Sequence, residues 1–348
     1  MNTLTPREKG YRFPAEWEKH AATWLSYPHN ENSWPGRMQN IYPAYHQFIK
    51  EISLGETVNI NVNDDLMLIH VKEQLTAYGV NMDNIRLFVH PTNDAWCRDH
   101  GPAFLLNQHA QDKKIIINWE YNAWGNKYPF ELDNKIPELI AKKLQLPLIS
   151  PGIVMEGGSV DFNGAGSLIT TKACLLNENR NPHLNQTQIE NYLCEYYGVE
   201  QIIWLNDGID GDDTNGHVDD ICRFVNEDTV VTVMEHDKND LNYLPLLENY
   251  NTLKKQRLLN GKLLNVIELP MPEPLFIEDQ RVPCSYANFY IANAGVMVPI
   301  FGCKTDDVAL NILSDCFTDR KVIGIDSSEI IWGLGSFHCL SQQEPSII

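Results

Sequence analysis

The strongest constraint on the fold of this chain is a repeating order of predicted helices and strands. Apolar residues at helical spacing predict five helices. These begin near Asp64, Leu132, Gln186, Leu241 and Thr305, at intervals of 68, 54, 55 and 64 residues. A short β-rich run follows each helix, and in the first four cases a polar, Gly-rich stretch and further strand-like sequence come next. A unit that recurs in this way indicates similar modules arranged in a ring or a solenoid.

The alternative to a ring is an ordinary doubly wound α/β sheet, which also alternates strands with helices. Two features favour the ring. Two or three β runs separate successive helices where a simple βαβ alternation gives one, and the sequence contains no GxGxxG or GxxxxGKS/T phosphate loop. No Pro-rich or Ser-rich linker divides the chain, so we expect residues 1–348 to form one domain.

The charge of the chain favours a cationic partner. Asp and Glu number 46 against 27 Lys and Arg, which gives a formal net charge of −19 with histidine neutral. Such a surface repels a nucleic-acid backbone or an anionic membrane, although many proteins are acidic for solubility alone. No apolar signal segment and no run of roughly 18 apolar residues is present, so we expect a cytoplasmic protein that binds neither nucleic acid nor membrane.

The cysteines of the chain do not form a recognisable metal or disulfide pattern. Eight of them are scattered along the sequence, and no two are closer than 13 residues. Zinc ribbons and redox dithiols need close pairs, so the spacing predicts neither of them and no disulfide framework. Most of these residues are expected to be buried small apolar side chains, with one exception described below.

Four segments combine uncommon residue types with Gly or Pro. They are NDAWCRDHGPAF at 93, MEGGSVDFNG at 155, GDDTNGHVDDICRF at 211 and GLGSFHCLSQQEP at 333. An active site at the centre of a ring collects one contribution from each module. The scatter of these segments is therefore expected for such a site and is awkward for a linear binding epitope.

The segment HVDDICRFV after Gly216 is typical of a strand. Side chains alternate along a strand, so we expect His217 and Asp219 on one face and Asp220 on the other. A neighbouring carboxylate favours the imidazolium form of His217, which suits an acid/base catalyst. The alternative is a solvated His-Asp pair at a strand end.

The segment SFHCLSQQ places His338 next to Cys339. Adjacent side chains diverge on an extended chain, so a distant histidine is needed to activate Cys339, and His217 fits that need. A buried structural cysteine is the default interpretation of any single cysteine. The Gly-rich turn and the polar residues around Cys339 argue against that default here.

Carboxylates occur in two of the other motifs. Asp99 precedes a Gly-Pro turn in WCRDHGP, where the alternative is a structural pair with Arg98, and Glu156 precedes two glycines in MEGGS, where the backbone can pass close to a ligand. With Asp219 these acids would repel one another unless a cation lay among them. A planar guanidinium with its fork of donors satisfies them best.

Two tryptophans, Trp96 and Trp124, are available as apolar walls for such a cation.

Six motifs of the chain resemble the successive motifs of the agmatine deiminase family, also known as the Porphyromonas-type peptidylarginine deiminase family. They are WCRDHGP, MEGGS, DTNGHVDD, YANFYIANAGVMVPIFG, SFHCLSQQ and LLNENRNPHLNQTQIE. The resemblance extends from Phe13 to Pro345. It implies a five-bladed α/β propeller of ββαβ modules, the pentein fold of guanidine-modifying enzymes.

The resemblance also implies a role for each motif residue. Cys339 matches the nucleophile and His217 the acid/base, whereas the residues that match the guanidinium ligands are Asp99, Glu156 and Asp219. Asp213 resembles the position that contacts agmatine near its amine. The nucleophile turn departs from the family pattern, because it has GLGSFHC where plant-type members commonly have GGGNIHC.

The implied reaction is hydrolysis of agmatine to N-carbamoylputrescine and ammonia through an amidino-cysteine intermediate. No metal and no organic cofactor is expected, because the reaction moves no electrons and forms no unstable carbanion. The partner implied is therefore a small cationic guanidine.

Other functions remain open at this point. A deiminase of peptidyl or free arginine would use the same residues but would need a basic or open rim, whereas the net charge and Asp213 favour agmatine. A non-catalytic guanidinium sensor would lack the nucleophile or the base, and a purely structural propeller leaves four acid, His and Cys motifs unexplained. The sequence leaves the oligomeric state, including a homo-oligomer, undetermined.

Overall fold

The computed structural model describes residues 4–347 and shows a mixed α/β fold. The strands are β1 (His20–Ser26), β2 (Thr57–Val62), β3 (Ile85–Val89), β4 (Ala103–Leu106), β5 (Lys114–Ile117), β6 (Leu148–Ile149), β7 (Val160–Phe162), β8 (Ser167–Thr171), β9 (Gln201–Leu205), β10 (Cys222–Asn226), β11 (Thr229–Met234), β12 (Asn265–Pro270), β13 (Phe276–Ile277), β14 (Gln280–Arg281), β15 (Tyr290–Ile291), β16 (Gly295–Ile300), β17 (Lys321–Asp326) and β18 (Ser341–Pro345).

The helices lie between these strands. They are α1 (Met38–Ile52), α2 (Asp65–Ala77), α3 (Cys97–His100), α4 (Ala123–Asn126), α5 (Ile136–Leu144), α6 (Lys172–Leu175), α7 (Gln186–Tyr197), α8 (Tyr243–Leu253) and α9 (Asp306–Cys316). Short 3-10 turns cover Met82–Asn84, Asp133–Lys135, Gly157–Ser159, Val218–Asp220 and Ile330–Gly333. No helix in the described part of the chain is long and apolar enough to cross a bilayer.

Four of the sheets share one topology. Their strand orders are β4-β5-β6, β7-β8-β9, β10-β11-β12 and β15-β16-β17. In each sheet the first two strands are antiparallel, the second and third are parallel, and helices form the crossover between those two. This is the ββαβ unit, and the separate small sheets exclude a single doubly wound sheet.

A fifth sheet joins the two ends of the described chain. Its order is β18-β1-β2-β3, with β18 antiparallel to β1 and the other pairs parallel. The register places Leu25 opposite Ser341. The segment before β18, which contains Cys339, therefore lies close to the N-terminal third of the chain, and the backbone N–H of Arg98 donates to the carbonyl of Cys339 at 3.0 Å.

The five predicted helices are confirmed as α2, α5, α7, α8 and α9, and the β-rich run after each helix is the last strand of its sheet. The sequence did not reveal α1, which contains Pro43, a residue that usually interrupts helices. Its apolar residues at helical spacing, among them Tyr45, Phe48 and Ile52, are fully buried. Burial of this face outweighs the hydrogen bond lost at the proline.

Candidate active site

The predicted motif residues occupy the same place in their sheets, because each lies shortly before the first strand in the sheet order. Asp99 lies before β4, Glu156 before β7, Asp219 before β10 and Cys339 before β18. The remaining sheet contributes Asn288, which lies before β15. Equivalent loops of five sheets thus supply one cluster of polar side chains.

A cavity of about 650 Å³ opens above this cluster, a size that suits a small molecule. The predicted site residues among its lining are Trp96, Asp99, Trp124, Asp213 and Cys339. The other three predicted residues, Glu156, His217 and Asp219, are fully buried next to this lining. The structure therefore brings all eight predicted residues into one region.

His217 lies between two carboxylates. Its Nδ1 is 3.7 Å from Asp99 Oδ1, and its Nε2 is 3.6 Å from Glu156 Oε2. These distances exceed those of ordinary hydrogen bonds, and neither ring nitrogen has a hydrogen-bond partner within residues 4–347. Burial alone would lower the pKa of His217, but Asp99, Cys174 and Glu156 raise it well above its usual value. The histidine is thus held ready to donate a proton.

The prediction that His217 and Asp219 share one face of a strand is wrong. A 3-10 turn covers Val218–Asp220, and the strand begins only at Cys222. The Asp219 carboxylate accepts a hydrogen bond of 2.6 Å from His338 Nδ1. This contact helps to lower the pKa of Asp219 against the effect of burial.

The prediction that Asp220 points away from the site is also wrong. Asp220 is buried and accepts a hydrogen bond of 2.8 Å from Asn288 Nδ2. Its pKa lies well above the usual value, because burial and the neighbouring charge of Asp219 disfavour a second carboxylate ion. The turn therefore directs two adjacent acids into the site where a strand would direct one.

Cys339 lies at the junction of these groups. Its Sγ is 3.6 Å from Asp219 Oδ2 and 3.1 Å from Asn288 Nδ2. Burial, followed by the charges of Asp219, Asp220 and Asp99, raises the pKa of the thiol well above its usual value. Burial and these charges therefore favour the protonated thiol.

Asp99 is held by two donors. The backbone N–H of Gly158 donates to Oδ1 at 2.9 Å, and Trp124 Nε1 donates to Oδ2 at 3.0 Å. Burial raises the pKa of Asp99 to about 6, His217 opposes this shift, and the neighbouring acids add to it. Trp124 belongs to the left-handed turn α4, in which residues 123–126 all have positive φ. Such strain is common at functional sites, and here it directs an indole toward Asp99.

Glu156 forms a fully buried ion pair with Arg180. Arg180 Nε donates to Glu156 Oε1 at 2.7 Å, and both side chains have no exposed surface. Burial disfavours the carboxylate, but Arg180 and His217 outweigh that effect and lower the pKa of Glu156 to about 2. The ion pair fixes Oε1 and leaves Oε2 directed toward His217.

Asp213 lies at the mouth of the cavity and already has partners. Lys127 Nζ is 2.9 Å from Asp213 Oδ1, and Tyr128 Oη donates to Oδ2 at 2.7 Å. About a third of each charged side chain is exposed, so this ion pair contributes little to stability. A bound amine can compete with Lys127 for the carboxylate at small cost.

A second buried network lies behind Asp219. His338 Nε2 is 2.9 Å from Glu16 Oε2, while Nδ1 faces Asp219. The His338 ring thus bridges the carboxylates of Glu16 and Asp219. Arg98 also pairs with Glu16, at 3.2 Å. The alternative interpretation of WCRDHGP, a structural pair between Arg98 and Asp99, is therefore not what the structure shows.

Several of these residues were not predicted from the sequence. Asn288 and Arg180 lie in YANFYIANAG and LLNENRNP, two motifs that carried the family resemblance without an assigned role. The repeat could have indicated Asn288. Four of the five modules had a predicted site residue, so a polar residue was to be expected at the same place in the remaining module. Glu16 lies in an N-terminal segment without a motif, and only the fold brings it to His338.

A buried thiol, an imidazolium and several carboxylates around one cavity are typical of enzymes that use a cysteine nucleophile on a cationic substrate. Comparison with known sequences defines the class further. The Porphyromonas-type peptidyl-arginine deiminase profile matches residues 12–345, and the chain belongs to this family.

Relatives within the family are named agmatine deiminases. The agmatine deiminase of Medicago truncatula is 34% identical over 375 residues, which cover 99% of this chain and 98% of the relative. The solved agmatine deiminase of Enterococcus faecalis superposes with a TM-score of 0.92 at 31% identity and covers 100% of this chain and 99% of its own. The C. jejuni agmatine deiminase, solved with substrate bound, has a TM-score of 0.88 at 34% identity and covers 97% of this chain and 96% of its own.

Proposed function

We propose that this chain hydrolyses agmatine to N-carbamoylputrescine and ammonia. The observation that carries the proposal is the position of Cys339 Sγ, which borders the cavity 3.6 Å from Asp219. In the same cluster, His217 Nδ1 lies 3.7 Å from Asp99 Oδ1. Family membership and the names of the full-length relatives support agmatine as the substrate.

Binding of the guanidinium follows from the charges of the site. Asp99 and Asp219 are desolvated carboxylates near Cys339, and a planar cation can donate hydrogen bonds to both of them. The walls Trp96 and Trp124 exclude water and add attraction between the cation and an aromatic face. The guanidinium carbon is then held in front of the sulfur, which provides the orientation that a slow addition needs.

The bound cation also activates the nucleophile. Negative charge around Cys339 raises the pKa of the thiol, and a guanidinium among those carboxylates removes that effect, so the thiol proton passes to solvent. The thiolate attacks the guanidinium carbon to form a C–S bond. His217 donates its proton to one nitrogen, the C–N bond breaks, and ammonia departs.

The second half of the reaction uses the same groups in reverse. His217, now neutral, takes a proton from water, and the resulting hydroxide adds to the amidino carbon. The tetrahedral adduct expels the Cys339 thiolate, its hydroxyl proton is released and the thiolate is reprotonated, and a ureido group remains, so the product is N-carbamoylputrescine. No electron is transferred, and we propose that no cofactor takes part.

The wider organisation is part of the same proposal. We propose that residues 1–348 act as one catalytic domain in which the five sheets form the blades of a pentein propeller around the site, and that the enzyme works in the cytoplasm on a small cationic guanidine. Equivalent placement of the site residues before one strand of each sheet supports the propeller. Eight free cysteines support a reducing compartment.

Ammonia release from agmatine, free arginine and a blocked arginine peptide, measured side by side, tests the proposed substrate. We expect agmatine to have the highest kcat/KM. The competing function is deimination of peptidyl or free arginine. Lys127, which pairs with Asp213 at the mouth of the cavity, makes the rim less acidic, and this favours the competing function. A higher kcat/KM for the peptide would establish that competing function.

A further inference from the structure

Cys174 is a second thiol next to the site, and the proposed reaction does not use it. It lies in α6, has no exposed surface, and its Sγ is 3.7 Å from Glu156 Oε2. Ligand atoms of Cys174, Glu156 and His217 all lie within 4.8 Å of one another. A thiol, an imidazole and a carboxylate are the three ligand types that proteins use for zinc.

The separations of these atoms match a tetrahedral metal ion. Zinc bonds are about 2.3 Å to sulfur, 2.0–2.1 Å to nitrogen and 2.0–2.2 Å to oxygen, so tetrahedral neighbours are about 3.3–3.6 Å apart. Glu156 Oε2 is 3.6 Å from His217 Nε2 and 3.7 Å from Cys174 Sγ. Glu156 Oε2 therefore lies within a few tenths of an ångström of the tetrahedral separation from both other ligand atoms, and all three atoms lie within 4.8 Å of one another.

The surroundings are also those of a metal site. Second-shell carboxylates commonly face the free nitrogen of a metal-bound histidine, and Asp99 Oδ1 takes that position opposite His217 Nδ1 at 3.7 Å. Arg180 fixes the other oxygen of Glu156. His217 supplies an independent observation, because its buried ring nitrogens have no hydrogen-bond partner within the described residues.

We propose that Cys174, His217 and Glu156 form a binding site for Zn²⁺ or a similar transition-metal ion, and that this ion inhibits the enzyme by competing with the substrate. Binding releases the thiol proton of Cys174 and the proton on His217 Nε2 to solvent, with no change of oxidation state. The thiolate and imidazole select such ions over Mg²⁺ and Ca²⁺. The competition rests on the proposed function, whereas metal binding does not.

Titration of the metal-free protein with Co²⁺ tests the binding site directly. We expect a thiolate-to-cobalt charge-transfer band in the near ultraviolet, which Zn²⁺ removes by displacement. The band should be lost in Cys174→Ser and retained in Cys339→Ser, a matched control at the other buried cysteine of the region. Cys174→Ala with unchanged circular dichroism guards against misfolding.

Two spectroscopic results would overturn the proposal. Absence of a band in the wild-type protein would exclude a thiolate-ligated metal. A band that survives Cys174→Ser but disappears in Cys339→Ser would place the metal on the neighbouring cluster of Asp219, Asp220 and Cys339.

Inhibition is measured separately as ammonia release from agmatine over a range of Zn²⁺ concentrations. We expect inhibition that a chelator reverses and that higher agmatine concentrations weaken. Cys174→Ser should raise the inhibition constant by at least about 100-fold, because even second-shell partners are worth 10–100-fold in metal affinity. Inhibition of equal strength in that variant would contradict the inference. Cobalt binding without turnover of agmatine would instead refute the proposed function and leave the metal site standing.

Discussion

Gly158 provides the sharpest test of the site geometry. A Cβ atom at this position would lie 2.6 Å from His217 Nδ1, 2.9 Å from Asp99 Oδ1 and 3.1 Å from Asp219 Oδ2. The backbone of Gly158 is not in the left-handed region, so Gly158→Ala adds no backbone strain. The effect of this substitution is therefore steric, because the new methyl group would displace the three groups that the proposed reaction uses.

The size of the effect follows from those distances. Ordinary contact begins at 3.4 Å, so His217 and the new methyl group must separate by about a further 0.8 Å. Misplacement of a catalytic group by about 1 Å can cost about 100-fold in rate, or about 2.7 kcal/mol of transition-state stabilisation. We therefore expect kcat/KM for agmatine to fall about 100-fold in Gly158→Ala, with a loss of about 1–3 kcal/mol in the free energy of unfolding from overpacking.

A matched control separates the two effects. Gly152 lies in the same segment, has φ of +79° and has open space where its Cβ would be, so Gly152→Ala introduces strain without touching the site. It should lose stability and keep kcat/KM. Steady-state kinetics and urea unfolding of both variants give the comparison. A folded Gly158→Ala protein with kcat/KM within about threefold of wild type would show that the geometry is not critical.

Four further predictions follow from the same contacts. Cys339→Ser should abolish ammonia release, and mass spectrometry of wild type quenched during turnover should find an amidino adduct on Cys339 and on no other cysteine. Asp219→Asn should reduce kcat/KM by several orders of magnitude, because loss of a buried partner costs about 3–5 kcal/mol; a near wild-type rate would refute its role. Asp213→Ala should weaken agmatine by about 1.5–3 kcal/mol and spare a simple alkylguanidine, and equal losses for both would contradict binding of the distal amine. Burial disfavours protonation of His20, but Glu56 at 2.9 Å and Glu16 raise its pKa above 6.5. Protonated His20 therefore stabilises the folded state. This stabilisation is fully present below the pKa that His20 has in the unfolded chain, and it is lost as the pH rises through the higher pKa of His20 in the folded protein. The difference in unfolding free energy between wild type and His20→Asn should therefore shrink as the pH rises above about 6.5, and a constant difference would contradict the linkage.

The sequence predicted the repeat well because its signal is local. Each of the five predicted helices has a clear apolar spacing, and each following run of apolar and β-branched residues became a strand. The helix α1 was missed because Pro43 interrupts the local pattern, while the burial that stabilises the helix is supplied by tertiary contacts.

The site was predicted by residue type but not by orientation. The sequence identified Asp219 and His217, and it assigned them to one face because the segment after Gly216 is typical of a strand. A 3-10 turn over Val218–Asp220 takes the place of that strand and brings Asp220 into the site as well. Contacts between distant segments, such as Glu16 with His338 and Arg180 with Glu156, have no local pattern that could have revealed them.

The charges around Cys339 explain how one site can combine selectivity with reactivity. Against the effect of burial, Arg180 lowers the pKa of Glu156 to about 2, and the hydrogen bond from His338 helps to lower the pKa of Asp219, so these two buried carboxylates stay ionised. Their remaining negative potential keeps the thiol protonated, and an anionic or neutral ligand in the cavity would leave it so. In the proposed reaction, a cation between Asp99 and Asp219 removes the effect of these charges on the thiol pKa, so binding of the guanidinium and formation of the nucleophile are the same electrostatic event. A neutral isostere of agmatine should therefore fail to increase alkylation of Cys339 by a small uncharged reagent, whereas a cationic guanidine analogue too short to fill the cavity should accelerate it.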